Sequence, residues 1–240
     1  MRVLLPPSPV IRTLLCLSLT LACQAAPDRR ETADEAATIG VALLLVDGVY
    51  NTELTAPMDM FHHAEFHRGE EAPAMRVFTV APTTDVVTTF EGLRILPDYS
   101  FATAPRVDVL VVPSAEHSMD EDLENAALVD WVRRVGGQAT WILSLCDGAF
   151  VLAAAGLLDG HACTTFPSDR DRLREMFPQL EVLDVSFVHD GNRITSVGGA
   201  PSFEPALYLC ELLYGEAAAR GIAAGLVIDW DKDRIDHVVR

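Results

Sequence analysis

Between Thr140 and Gly160 a short apolar run meets a helical pattern at one cysteine, and this junction constrains the fold more than any other stretch. Trp141 to Leu145 is apolar apart from Ser144, too short for a buried helix, and predicts a buried strand. From Gly148 onward Phe150, Val151, Ala154, Leu157 and Leu158 recur at helical spacing, and Asp159-Gly160 end the helix. A cysteine caught between a strand and a helix start sits on a sharp turn. Ser144-x-Cys146-x-Gly148 is thus the cysteine form of a nucleophile elbow, with Gly148 letting the backbone pass close. The first helical N–H groups and the helix dipole favour a thiolate on Cys146. Asp147 opposes it, either as an acid in the pocket or as the cap of the elbow helix.

The rest of the chain supplies a sheet for that elbow. Thr38 to Val46 is β-branched and leucine-rich without alternation, as in a central parallel strand covered on both faces. After the turn at Asp47-Gly48, Asn51 or Thr52 can cap a helix from about Glu53 to Phe66. Glu53 then lies just beyond the end of the first strand, where ligand sites form in open α/β sheets. Met75 to Ala81 is a second strand, and Val86–Thr89 with Leu93–Leu96 flank Glu91-Gly92 as a hairpin. Val107 to Pro113 is a buried strand ending at Ser114-Ala115-Glu116-His117. One amphipathic helix follows, with Leu123, Ala127, Leu128, Trp131, Val132 and Val135 on one face.

Beyond the elbow, Cys163-Thr164-Thr165 is a short strand, and Ser168 caps a helix to Phe177. Val185–His189 and Arg193–Ser196 flank Asp190-Gly191, a strong hairpin signal. Ser202 caps a helix over Ala206–Tyr214, an alanine-rich helix runs from Glu216 to about Ala224, and Leu226–Ile228 is a candidate last strand. Strands alternating with helices predict an α/β fold, a three-layer sandwich around a mostly parallel central sheet.

The amino-terminal residues resemble a secretory leader: Arg2 and Arg12 for charge, then Leu14 to Leu21 as a short apolar core. Thr20-Leu21-Ala22-Cys23 resembles a bacterial lipoprotein cleavage box, which makes residues 1–22 the leader and Cys23 the lipidation site. Ordinary cleavage near Ala25 or Ala26, or an uncleaved anchor, are the alternatives. Residues 23–37 are polar and acidic and form a tether to a domain over 38–240. The expected location is the cell envelope or periplasm. The net charge of −17 repels nucleic acid and anionic lipid headgroups, so attachment to a membrane would come through acylated Cys23. Lys232 is the only lysine, which leaves little room for lysine chemistry. Of the five cysteines, Cys163 and Cys210 lie in apolar elements and are expected to be buried packing residues. His62, His63 and His67 lack completing ligands at usual spacing and are expected to be surface histidines, so no metal is expected.

The chain resembles the ThiJ/PfpI superfamily, with its class I glutamine amidotransferase-like fold. The resemblance covers roughly residues 39 to 228. It rests on Gly48-Val-Tyr-Asn-Thr-Glu53-Leu-Thr-Ala-Pro57, Gly92-Leu-Arg-Ile-Leu-Pro97-Asp-Tyr, the run from Leu145 to Gly160, Thr164-Thr165, and Thr195-Ser-Val-Gly-Gly with Ser202-Phe-Glu. It implies that Cys146 is the reactive cysteine, that Glu53 is its acidic partner, and that the protein is a homodimer. Three positions depart from the pattern. Phe166 stands where many members carry histidine after the paired threonines. Ser114-Ala115 follow Pro113 in place of Gly-Gly, so a preformed oxyanion hole is not implied. Asp147 follows the cysteine, where isonitrile hydratases carry threonine.

These departures weigh against acyl-transfer hydrolysis, proteolysis included. A Cys146/Glu53 site with Asp147 beside it suits a small electrophile: hydration of an isonitrile, or a glyoxalase-like conversion of an aldehyde. Ser114, Ala115, His117, Thr165 and Phe166 are the expected pocket residues, with His117 a possible substitute for the missing histidine. No cofactor is required. The rival readings are a ligand-binding domain that signals through a partner protein, and a peroxide-responsive thiol.

Overall fold

The computed structural model describes residues 38–240. The leader, the tether, Cys16 and Cys23 lie outside the described residues. In chain order the elements are β1 (Ile39–Leu44), α1 (Asn51–His63), β2 (Met75–Ala81), β3 (Val87–Thr88), β4 (Arg94–Ile95), β5 (Tyr99–Ser100) and β6 (Val109–Val112). There follow α2 (Glu121–Glu124), α3 (Ala126–Gly136), β7 (Trp141–Leu145), α4 (Gly148–Ala154), β8 (Ala162–Cys163), α5 (Arg170–Met176), β9 (Glu181–Val182), β10 (Phe187–Asp190) and β11 (Arg193–Ser196). The last are α6 (Phe203–Tyr214), α7 (Glu216–Gly225) and β12 (His237–Val239).

The central sheet runs β12-β10-β11-β7-β6-β1-β2-β5. Every neighbouring pair is parallel except the β10–β11 hairpin. The missing alternation in β1 follows from cover on both faces. Val41, Leu43 and Leu45 join Leu54, Met60, Phe61 and the α6 residues Ala206 to Cys210 in one core. Ala42 and Leu44 join Leu128, Trp131, Val132, Phe150, Leu152 and Leu173 in the other. The sheet is therefore sandwiched between α1, α6 and α7 on one side and α3, α4 and α5 on the other. Each fully buried Leu, Phe or Met contributes about 1.5–3 kcal/mol of transfer free energy, so the two cores anchor the central strands on which the elbow rides.

Several expected boundaries move, each for a local reason. The amphipathic stretch is two helices, because Asn125 leaves helical geometry and its Oδ1 accepts the Leu128 N–H at 3.2 Å. An asparagine side chain competes with the backbone and starts a new helix at that point. The first helix begins at Asn51 with Tyr50 as N-cap and no side-chain cap. The Asn51 N–H is satisfied instead by Glu91 Oε2 at 3.0 Å, and Asn51 Oδ1 is buried without a partner. Neither Ser168 nor Ser202 caps a helix through its side chain. Each lies in a one-turn 3-10 segment that precedes the helix. Leu226–Ile228 is a turn rather than a strand: Val227 has φ +60° and is 95% exposed. The last strand is His237–Val239, paired in parallel with β10. Three residues beside a charged segment give too little periodicity to be seen in sequence.

Candidate active site

β7 ends at Leu145, and Cys146 follows it with a φ of +52°, one of two non-glycine residues with positive φ among those described. A side chain in that region costs of order 1–3 kcal/mol. The turn holds because its neighbours leave one arrangement. The Cys146 N–H is fixed to the Ser196 carbonyl at 3.0 Å. A Cβ on Gly148 would lie 2.1 Å from the Val112 carbonyl oxygen, and one on Gly198 (φ +71°) would lie 2.4 Å from Cys146 Cβ. Both glycines are there so that backbone can press on the elbow.

Glu53, in the first turn of α1, is 4% exposed. Its Oε2 accepts the Ser114 N–H at 3.0 Å and its Oε1 accepts the Gly199 N–H at 3.1 Å. A carboxylate with two backbone donors is fixed in place, and its remaining interaction is with the Cys146 thiol. Burial pushes the Glu53 carboxyl above its ordinary range, and the two N–H bonds only partly offset this.

Asp147 is buried beside the cysteine. It is the N-cap residue of α4 by position, yet its side chain caps nothing. Thr165 Oγ1 donates to Asp147 Oδ1 at 2.9 Å and lies 3.0 Å from the Cys146 carbonyl oxygen. One hydroxyl proton serves two acceptors, so both bonds form fully only when Asp147 is protonated. Burial raises the Asp147 carboxyl to about 6, against the Thr165 bond.

The thiol does not follow the helix-start expectation. Burial raises the Cys146 pKa most, and the charges of Glu53 and Asp147 raise it further. The Asp147 N–H at the start of α4 and the Ser114 hydroxyl favour the thiolate but are outweighed. The resting site is a thiol among carboxyl groups that hold their protons unusually well.

The other expected pocket residues divide. Ser114 and Thr165 are within the site. The Ala115 N–H, where an oxyanion donor would be sought, is taken by Ser118 Oγ at 2.8 Å. Phe166 is 41% exposed at the start of a 3-10 turn and offers no proton carrier. His117 Nδ1 lies 3.3 Å from Asp120 Oδ1, and its ring lines a separate cleft of ≈ 440 Å³ with Asp47, Asp85, Glu121 and Asp122. No hydrogen bond joins it to Cys146 or Glu53, so it does not stand in for the missing histidine. Cys163 and Cys210 are fully buried, and burial pushes both up to about 12. His62 and His67 are exposed, and the described residues hold no group of three or more ligands placed for a metal ion.

Two contributors escaped sequence reasoning. Tyr50 is raised by burial and by the charges of Cys146, Glu53, Asp147 and Glu116, and its ring sits 4.7 Å from that of Phe90. Its position three residues before Glu53 was the available signal. Ser118 carried none, since only the folded loop brings its hydroxyl to Ala115.

Sheet order, strained cysteine and buried glutamate define an α/β sandwich protein with a single-cysteine elbow site. The chain belongs to the DJ-1/PfpI family, whose model matches residues 40–211. It is 31% identical over 182 residues to an isonitrile hydratase of Pseudomonas putida, covering 75% of this chain and 74% of that protein. It is 29% identical over 149 residues to protein dj-1beta of Drosophila melanogaster, 61% of this chain and 79% of the other. It also matches the HTH-type transcriptional regulator CdhR of Pseudomonas aeruginosa, 36% identical over 111 residues but spanning only 33% of it. Among solved structures, a ThiJ/PfpI family protein from Pseudomonas syringae superposes with a TM-score of 0.72 at 27% identity, covering 88% of this chain and 85% of that one. Drosophila DJ-1beta superposes with a TM-score of 0.69 at 25% identity, covering 80% of this chain and all of that one.

Proposed function

We propose that the protein hydrates a small, uncharged electrophile through Cys146 and Glu53, with an isonitrile as the reference substrate. The observation that carries this reading is Glu53, buried, clamped by two backbone N–H groups and in contact with the thiol. A carboxyl so placed can take the thiol proton and return it within one site. The Cys146 thiol adds to the isonitrile carbon: an S–C bond forms, and the thiol proton, carried by Glu53, ends on that carbon as R–N=CH–S. Water adds to the same carbon, the C–S bond breaks, sulfur regains a proton, and R–NH–CHO departs. One water is consumed, and no oxidant or cofactor enters. The raised thiol pKa fits a group that gives up its proton only as substrate binds. The Glu53 and Asp147 carboxyl groups beside the thiol disfavour anionic substrates. The similarity to the isonitrile hydratase supports the choice of substrate class.

The test is formamide production from a panel of alkyl and aryl isonitriles, with Cys146→Ser and Glu53→Gln as controls. Turnover abolished by both substitutions supports the reading, and no turnover across the panel ends it. The same proposal includes export, a lipid on Cys23 and a homodimer. Membrane fractionation of wild type against Cys23→Ala, and sedimentation equilibrium, read these directly.

A second reading is favoured by the pushed-up thiol and by the similarity to regulators such as CdhR: a ligand-binding domain that signals through a partner. A small molecule that raises the melting temperature without being consumed would select it.

A further inference from the structure

The segment after β6 is expected to supply a backbone donor to the reacting centre, and in this protein both candidate N–H groups are occupied. The Ser114 N–H is bound to Glu53 Oε2 at 3.0 Å and the Ala115 N–H to Ser118 Oγ at 2.8 Å. Ala115 is further pinned by its bridge to Val49. The hydroxyl that remains is Ser114 Oγ. Ser114 is 1% exposed, and its Oγ is buried with no hydrogen-bond partner in the resting site. A buried hydroxyl without a partner is destabilising, and that cost disappears once a charge forms beside it.

We propose that Ser114 Oγ is a hydrogen-bond donor to the negative charge that forms at the reacting centre, first on Cys146 Sγ, acting beside the Asp147 N–H and in place of the backbone N–H groups that follow β6. The residue is held for this role from both sides: its N–H by Glu53, and its carbonyl by the Tyr50 N–H at 3.1 Å. The elbow is pressed against the same segment, since Gly148 leaves no room for a Cβ between itself and Val112–Pro113. The neighbouring thiol feels the hydroxyl as a group that favours the thiolate. In this role the serine is a catalytic residue, because its hydroxyl donates directly to the charge on the reacting sulfur. Its presence explains how a site with an occupied backbone pocket and two carboxyl groups can still form a thiolate.

This inference rests on Cys146 being the reacting group and not on the choice of substrate, so the test uses iodoacetamide. The rate of Cys146 alkylation is followed against pH in the full-length protein by mass mapping, for wild type, Ser114→Ala, Ser114→Gly, Ser114→Thr and Ser118→Ala. Both hydroxyl-less variants enlarge the space beside sulfur, so sterics alone would speed them. Slowing of about tenfold or more at pH 8, with the midpoint moved up by about one pH unit and near-wild-type rates in Ser114→Thr, establishes the serine as donor. Unchanged or faster labelling in both Ser114→Ala and Ser114→Gly overturns it. So does a rise in rate confined to Ser118→Ala, which would make the freed Ala115 N–H the better donor. Slow labelling of the alanine and glycine variants alongside inactivity toward isonitriles would sink the hydratase reading and keep the serine. Isonitrile turnover with unaltered labelling would do the reverse.

Discussion

Glu53 Oε1 accepts the Gly199 N–H at 3.1 Å, joining the first helix to a glycine 146 residues away. This bond and its counterpart at Ser114 use both carboxylate oxygens as acceptors. An amide at position 53 has one acceptor and one donor, so Glu53→Gln must face one backbone N–H with an NH2 group. The expected loss of stability is about 1–3 kcal/mol. The same change removes a charge that raises the thiol pKa, so alkylation of Cys146 should speed up while turnover falls by about a hundredfold or more. Opposite movement of the two rates, from one variant, is the signature of a proton carrier. A parallel fall in both would mean that Glu53 only holds the fold.

Gly198→Ala should disable the site without touching a catalytic group. The added Cβ would lie 2.4 Å from Cys146 Cβ and 2.7 Å from Glu53 Oε1, at φ +71°. Overpacking and left-handed strain together cost about 2–4 kcal/mol. Urea unfolding should record that loss. A variant as stable as wild type would mean the elbow can move away from the 197–199 loop.

Asp147 sets a pH dependence with a definite sign. Its carboxyl is raised to about 6 by burial. A folded-state pKa above the unfolded one gives stability that is complete below the ordinary aspartate range and is lost as pH rises through about 6. Asp147→Asn keeps an acceptor for Thr165 and removes the titration. Relative to the variant, wild type should therefore lose up to about 3 kcal/mol between roughly pH 4 and 7, read from melting temperatures across that range. The variant should also shift the midpoint of Cys146 alkylation downward, because the Asp147 charge raises the thiol.

Labelling in the native domain should follow exposure and electrostatics rather than cysteine count. Cys163 and Cys210 are buried completely and pushed up to about 12. Cys146 is 7% exposed at the site. Among these three, iodoacetamide should modify Cys146 alone until the protein is unfolded in guanidinium. Modification of Cys210 under native conditions would show that α6 opens locally.

A peroxide-sensing role makes a weaker forecast from the same geometry. Oxidation needs thiolate, and the Cys146 thiol is held up by burial and two carboxyl groups. Oxidation by dilute peroxide at neutral pH should be slow, and faster in Asp147→Asn, with sulfenate trapping as the readout.

What the sequence determined by itself was everything carried by local period. The unalternating run of β1 fixed a strand covered on both faces, the helical spacing after Gly148 placed the elbow, and Asp190-Gly191 placed the β10–β11 hairpin. Cys146 and Glu53 were legible because the elbow and the helix start are each written in a few consecutive residues. Where a side chain competed with the backbone, as at Asn125, the period alone misled and one expected helix became two. Only the tertiary structure decided how the site is charged and which donors it has left. Ser118 reaches the Ala115 N–H, Gly199 and Ser114 hold Glu53, and His117 turns to Asp120. The helix-start argument favoured a thiolate, yet the pKa moves up because desolvation and two close carboxyl groups outweigh one N–H and one hydroxyl. The physical reason is one of range. Periodicity and turn chemistry act over a few residues, whereas burial and hydrogen-bond partnership are set by segments that meet only when the sheet has closed.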